Sequence, residues 1–268
     1  MTACNNRFII ILVAVLLLHI SSSQTASGHG HDHEEIRFSY VKEHHNGPEK
    51  WASLHPNYTD CNTGDTQSPI DLNDNNVQVT SSLGELIREY KPAPAVLINK
   101  GHALQIVWKE KAGKIVINGT NYSLVQTHWH TPSENTVNGK RFDMEMHLVH
   151  MNARDELAAV GILYEIGAPD PFLENLISHI KNADHEGKDL GIIHPENIGY
   201  GSNEYYRFIG SLTIPPCSQG VLWTVISKVK TISKEQLDAL KGAVDEGYEQ
   251  NARPVQPLNG RTVYLNKP

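Results

Sequence analysis

In a β-strand successive side chains alternate faces, so His128 and His130 of His128-Trp129-His130 share one face, as do Glu145 and His147 of Glu145-Met146-His147. Between the two segments lies Val137-Asn138-Gly139-Lys140, and Asn-Gly is the strongest short signal for a tight turn between antiparallel strands. The chain is therefore expected to turn three imidazoles and one carboxylate onto one face of a sheet. Zinc held by three neutral nitrogens keeps its double positive charge and an open fourth position, and lowers the pKa of water there from about 15.7 to about 7. Two histidines alone would read as ordinary solvent-facing strand residues. The third, with an acid on its own face, reverses that reading.

Many short β-branched runs bounded by turn residues surround these segments: Ala95–Ile98, Leu104–Trp108, Ile115–Ile117, Ser123–His130, Met144–Val149, Ala158–Tyr164, Leu222–Val229 and Thr262–Leu265. Two helices stand out. One starts at Asp170-Pro171, a capping residue followed by Pro, with Leu173, Leu176, Ile177 and Ile180 on one face. The other starts at the capping box Ser233…Gln236, with Leu237, Leu240 and Val244 facing inward. No Gly/Ser tract, long charge run or internal repeat interrupts residues 38–268, which read as one mainly β (α+β) domain, a mostly antiparallel sheet with peripheral helices.

The beginning of the chain reads as an export signal. Arg7 precedes an unbroken apolar run from Phe8 to Leu18, followed by Ser21-Ser22-Ser23; this is too short for a membrane span. Residues 1–23 are the expected signal peptide, cleaved within 23–27, and residues 24–37 a flexible His-rich N-terminus. In that stretch His29, His31 and His33 could hold a metal loosely, although a disordered tail is the preferred reading. No later segment approaches eighteen consecutive apolar residues, so no membrane span is expected in the mature chain. The formal charge of −7 argues against nucleic acid as a partner. Nothing points to an oligomer, though one is compatible with the sequence.

Cysteine usage agrees with export. With Cys4 in the signal, Cys61 and Cys217 remain as an even pair that an oxidising compartment would join, the alternative being two buried thiols. Asn57-Tyr58-Thr59, Asn118-Gly119-Thr120 and Asn121-Tyr122-Ser123 are glycosylation sequons, the last two too close together to be fully occupied at once. The expected location is the secretory route, ending outside the cell or in a cell wall; a plastid reached by that route is the alternative.

Longer motifs carry a resemblance. Asn46-Gly47-Pro48, Gln67-Ser68-Pro69-Ile70, Asn99-Lys100-Gly101-His102-Ala103, Gln126-Thr127-His128-Trp129-His130 and Ser133-Glu134-Asn135-Thr136-Val137 occur in that order. Glu145 to His150, Gly210 to Cys217 and Asn251-Ala252-Arg253-Pro254 follow. Together they resemble the alpha-class carbonic anhydrases from about Phe38 to Val263, and most of all the plant members. The resemblance implies a central twisted, mostly antiparallel ten-stranded sheet with zinc in a conical cleft. The activity it implies is reversible hydration of carbon dioxide to bicarbonate by attack of zinc-bound hydroxide.

Roles follow position by position from the resemblance. His128, His130 and His147 match the zinc ligands, and Glu145 the acid that orients a ligand imidazole. Thr213 and Glu134 match the pair that orients the hydroxide, and His102 the proton shuttle, for which imidazole has a suitable pKa of roughly 6.5. Tyr40 matches a residue that holds the water chain. Val149, Leu212, Val221 and Trp223 match the apolar pocket for carbon dioxide. Three positions depart from the family pattern. Ile214 stands where many members are polar, Ala159 where a larger aliphatic is common, and Asn135 where a His is common. A non-catalytic storage or anhydrase-related protein is the main competing reading; another zinc hydrolase is more distant, since no His-Glu-x-x-His helix is present.

Overall fold

The computed structural model describes residues 36–267. The expected signal peptide and the histidines of the N-terminal tail lie outside the described residues. Fifteen strands form within them: β1 (Asp71–Leu72), β2 (Val77–Thr80), β3 (Ile87–Tyr90), β4 (Ala93–Asn99), β5 (Leu104–Trp108), β6 (Gly113–Ile117), β7 (Thr120–His130), β8 (Thr136–Val137), β9 (Lys140–Arg141), β10 (Met144–Met151), β11 (Leu157–Ile166), β12 (Lys188–Ile193), β13 (Tyr205–Ser211), β14 (Gln219–Ile232) and β15 (Val263–Asn266). Ten of them join in the order β12-β4-β5-β7-β10-β11-β14-β13-β15-β2. β7 is long enough to pair with β5 through its C-terminal half and with β6 through its N-terminal half; β6 carries β3, so the sheet has twelve strands rather than the expected ten. Only β11–β14 and β15–β2 run parallel; the remaining pairs of this large sheet are antiparallel.

Alternation divides the central strands between two environments. Trp129 on β7, Met144, Met146 and Leu148 on β10, and Ala158, Val160 and Ile162 on β11 fill the large core, together with Phe172, Leu173, Leu237 and Leu240 from the helices. Their sequence neighbours His128, His130, Glu145, His147 and Val149 point the other way. Both faces of β10 are buried, which explains its run of buried residues from Met144 to His150. A slip of one residue would exchange metal-type ligands for core residues, so the core itself fixes which face carries the histidines.

Two local expectations change. Asn138 and Gly139 do form a tight turn, both at positive φ (50° and 77°), as a type I′ hairpin requires. That hairpin joins β8 to β9, and with β1 it makes a separate three-stranded sheet. It does not join β7 directly to β10. These pair through their own ladder, in which His128 faces His147 and His130 faces Glu145. The helix beginning after Asp170 is two short helices, Pro171–Glu174 and Ile177–Ile180. Asp170 caps the first, accepting from the N–H groups of Phe172 and Leu173, but Leu176 N–H donates to Leu173 in a tightened turn that interrupts it. The Ser233 capping box is present in full at the start of Lys234–Gly242. Gln236 of that box also exchanges two hydrogen bonds with the Asp170 backbone, which ties the two helix starts together.

Candidate metal centre

The β7–β10 register sets the three imidazoles beside one another, with ring centres 4.7 to 5.1 Å apart. Each ring has one nitrogen engaged from outside. His128 Nδ1 lies 2.8 Å from Gln126 Oε1, His130 Nδ1 2.7 Å from the Asn251 carbonyl, and His147 Nε2 3.0 Å from Glu145 Oε1. These acceptors call for N–H on the outer nitrogens and so leave a lone pair on each inner one. The three donor atoms lie within 4.8 Å of one another. His128 Nε2 and His147 Nδ1 are 3.3 Å apart, and His130 Nε2 is buried without a hydrogen-bond partner. Zinc–nitrogen bonds of 2.0–2.1 Å in a tetrahedron give an edge of about 3.3 Å, so the donor set fits zinc. Burial, and then the neighbouring histidines, hold His128 well below the usual imidazole range; burial also lowers His130. Neutral rings are the form a metal takes.

Glu145 is fully buried and saturated with donors. Oε1 accepts from Asn135 Nδ2 at 2.7 Å; Oε2 accepts from the N–H groups of Glu134 and Asn135 at 2.8 and 2.7 Å. Burial alone would raise its pKa, but His147 and Asn135 together bring it below the ordinary carboxylate value. Gly161, opposite His147 on β11, is required here: a Cβ at that position would meet Glu145 Oε1 at 2.6 Å. Glu134 is also fully buried. Its Oε1 accepts from Arg253 N–H at 2.9 Å, and Oε2 lies 3.4 Å from His130 Nε2. Burial drives its carboxyl up to about 7, against the pull of His147, the Thr213 hydroxyl and the Arg253 N–H.

An apolar row runs beside the histidines. Val149, two residues after His147, pairs with Ala159, and Ala159 pairs with Trp223 on β14. The Trp223 ring is 4.8 Å from His147. Val221 shares the Trp223 face, and Leu212 packs against the same buried cluster. Thr213 is buried, whereas Ile214 is half-buried and packs against Phe38, Tyr40, Trp51 and the cysteines. Tyr40 is buried with its hydroxyl unpartnered. His102 is half-buried, its ring 5.2 Å from Phe38, and it lines an open cleft of about 710 Å³. Burial, then His130 and Lys100, lower it to about 4, below the ordinary imidazole value on which the shuttle expectation relied.

Cys61 and Cys217 are joined in a disulfide that ends the Thr213–Cys217 loop. Asn57, Asn118 and Asn121 are all exposed. Among the described residues no helix is long and apolar enough to cross a membrane. Residue-level reading had assigned no role to Gln126, Asn251, Gly161 or Arg253. Gln126 and Asn251 engage the rings of His128 and His130, Gly161 makes room for Glu145, and Arg253 donates its backbone N–H to Glu134 Oε1 and its guanidinium N–H groups to Gln67 Oε1 and the Ser68 and Cys61 carbonyls. Gln126, Asn251 and Arg253 carry a sequence signal only through their place inside longer motifs, and Gly161 lies within the run Ala158–Tyr164; no spacing rule identifies a backbone carbonyl as a histidine's partner.

A large mixed sheet with three histidines converging on one face defines a protein with a candidate metal centre, and sequence comparison gives its class. A family profile described as eukaryotic-type carbonic anhydrase matches residues 46–267. The chain belongs to that family. Alpha carbonic anhydrase 4 of Arabidopsis thaliana is 47% identical over 235 residues, covering 88% of each chain. Among solved structures, dioscorin complexed with ascorbate superposes with a TM-score of 0.84 at 42% identity, over 85% of this chain and 97% of that one. The alpha-carbonic anhydrase of Thermovibrio ammonificans, in complex with the inhibitor sulfanilamide, gives 0.79 at 34% identity, over 86% and 99%. The protein is thus a carbonic anhydrase of the alpha class: its reaction is the hydration of carbon dioxide and its metal is zinc.

Proposed function

We propose that His128, His130 and His147 hold the zinc and that the reaction runs in the space bounded by Thr213, Val149 and Trp223. The observation that carries this reading is the arrangement of nitrogens: every outer one has an acceptor, and the inner ones converge, with donor atoms within 4.8 Å of one another and His130 Nε2 left without a hydrogen-bond partner. Bound there, zinc supplies a Lewis acid that makes a nucleophile from water at neutral pH. Glu145 keeps the His147 ring in the tautomer that presents Nδ1 inward, and Gln126 and the Asn251 carbonyl do the same for His128 and His130. Glu134, itself held by Arg253 N–H, accepts from the Thr213 hydroxyl, which leaves the Thr213 oxygen to orient the nucleophile. Carbon dioxide, uncharged and apolar, lies against Val149, Ala159, Leu212, Val221 and Trp223. His102 takes the proton left over from each turnover toward the cleft, and Tyr40 holds water along that route.

The disulfide and the three exposed sequons support entry into the secretory route after removal of an N-terminal signal. Endoglycosidase-sensitive mobility of protein recovered outside the cell tests that location; an unglycosylated protein retained in the cytosol would refute it. Stopped-flow carbon dioxide hydration with and without a zinc chelator tests the function. His147→Ala is expected to lose zinc and hydration together, and activity that survives in the metal-free variant would overturn the assignment.

A further inference from the structure

The cleft beside His102 holds a second imidazole with no part in the reading above. His102, His185, Asp245, Glu246, Lys100 and Arg37 line it. His185 Nε2 lies 3.0 Å from Asp245 Oδ1, and its Nδ1 lies 3.1 Å from the Asn99 carbonyl. Both ring nitrogens face acceptors, so this geometry is satisfied in full only when both carry protons. The ring is also open to bulk water, with 63% of its side chain exposed. His102, by contrast, is half-buried beneath Phe38.

The His185 pair is built onto the same turn that carries His102. Asp245 N–H donates to the Gly101 carbonyl at 2.9 Å, and Asn99 Nδ2 donates to Asp245 Oδ1 at 2.9 Å. Asn99 Oδ1 in turn accepts from Gly101 N–H at 2.7 Å. Gly101 sits at φ 78°, and a Cβ there would meet Asp245 Oδ2 at 3.3 Å, so the close approach of the two loops depends on glycine. Three segments distant in sequence are thereby locked together around one cleft, with a half-buried imidazole inside and an exposed, carboxylate-paired imidazole outside. Neither Lys100 nor Arg37 is within the hydrogen-bonded set that grips His185.

We propose that His185, held by Asp245, is the outer station of the proton path: it receives through cleft water the proton that leaves His102 and releases it to bulk buffer. This rests on His102 being the shuttle. In each cycle the His185 imidazolium gives one ring proton to a buffer base, and the neutral ring then accepts the next proton from the His102 imidazolium. Asp245 fixes the ring through the 3.0 Å contact of its Oδ1 with His185 Nε2. No electron moves, and one proton enters and leaves per turnover.

The test uses the zinc-loaded enzyme and compares kcat with kcat/KM, because proton release limits the first and not the second. In dilute buffer His185→Gln is expected to lower kcat by about threefold, a small part of what a proton-transfer group can supply. kcat/KM and zinc content should be unchanged, and added imidazole should restore kcat. Asp245→Asn should show the same split, and His185→Gln placed on His102→Ala should cost nothing further. A loss of kcat/KM in parallel with kcat, or an equal loss in the His102→Ala background, would overturn the outer station. If His102→Ala lowers kcat while His185→Gln does not, the outer station fails and the His102 shuttle stands. If neither variant changes kcat, the shuttle reading itself fails, and with it this extension.

Discussion

Asn135 shows how much one side chain can decide. In sequence it is a departure from the family pattern, a neutral amide after Glu134. In the structure its side chain and backbone N–H both donate to Glu145, the carboxylate that faces His147 Nε2. Asn135→Ala removes a charge-assisted hydrogen bond from a fully buried carboxylate and is expected to weaken zinc binding by about tenfold, the lower end of the range for partners of metal-ligating residues. Competition with a calibrated chelator measures this, and unchanged affinity would show that the two backbone N–H groups hold Glu145 unaided. The other two departures also acquire physical readings. Ala159 sits between Val149 and Trp223 in the apolar row, where a small side chain leaves more room than a larger aliphatic would. Ile214 faces the aromatic cluster of Phe38, Tyr40 and Trp51, so apolar character there adds to packing.

Among the elements, the segment from Thr213 to Cys217 depends most on distant parts of the chain. Its end is bonded to Cys61 in the short helix Asp60–Thr63, and the Cys217 carbonyl accepts from Gln67 Nε2 at 2.9 Å. Arg253, almost fully buried, spans Cys61, Gln67 and Ser68 and stacks 5.5 Å over Trp51. The bridge closes a span of 156 residues and stabilises the fold by about 5 kcal/mol in the chain-entropy account. A Cys61→Ser, Cys217→Ser double variant is expected to melt well below the native protein and to lose part of its kcat/KM, because Thr213 lies four residues before the lost anchor. Thermal denaturation and stopped-flow hydration check both parts. An unaltered kcat/KM would assign the loop geometry to Gln67 and Arg253 alone.

At the scale of the whole molecule, a buried imidazole on the far side of β10 from the site contributes to acid stability, in the same direction as the lowered imidazoles of the site. His150 Nε2 meets the Tyr90 hydroxyl at 2.7 Å, and its ring stacks on that of Tyr90. Burial lowers its pKa from 6.5 to about 3, against the Ala158 and Leu148 carbonyls. The unfolded chain therefore binds more protons than the folded one between these values. Stability is complete above pH 6.5 and falls as the pH drops, by on the order of 2 kcal/mol at pH 5. Melting curves at pH 7.5 and pH 5 should show that loss, and His150→Gln should show a shallower one. Equal pH slopes in both proteins would place the acid sensitivity elsewhere.

The sequence by itself determined the elements whose signals are local. Eight β-branched runs became strands or the greater part of them, the Ser233 capping box opened a helix, and Asn138-Gly139 made its turn. Period-2 alternation was enough to put His128 with His130 and Glu145 with His147, because that rule acts within a single strand. Only the tertiary structure decided which strands became neighbours. The turn chemistry suggested a hairpin between the two His segments, yet their contact comes from a β7–β10 ladder that the core registers from the opposite face. β13, with its aromatic and buried residues, is not among the runs that local pattern picks out as strands. The partners that tune the ligands were equally hidden, since the Asn251 carbonyl, the bare Cα of Gly161 and the Arg253 N–H meet the site across more than 90 residues or through atoms every residue shares. A ligand's identity is written in its side chain; its protonation and aim belong to whatever the fold brings against it.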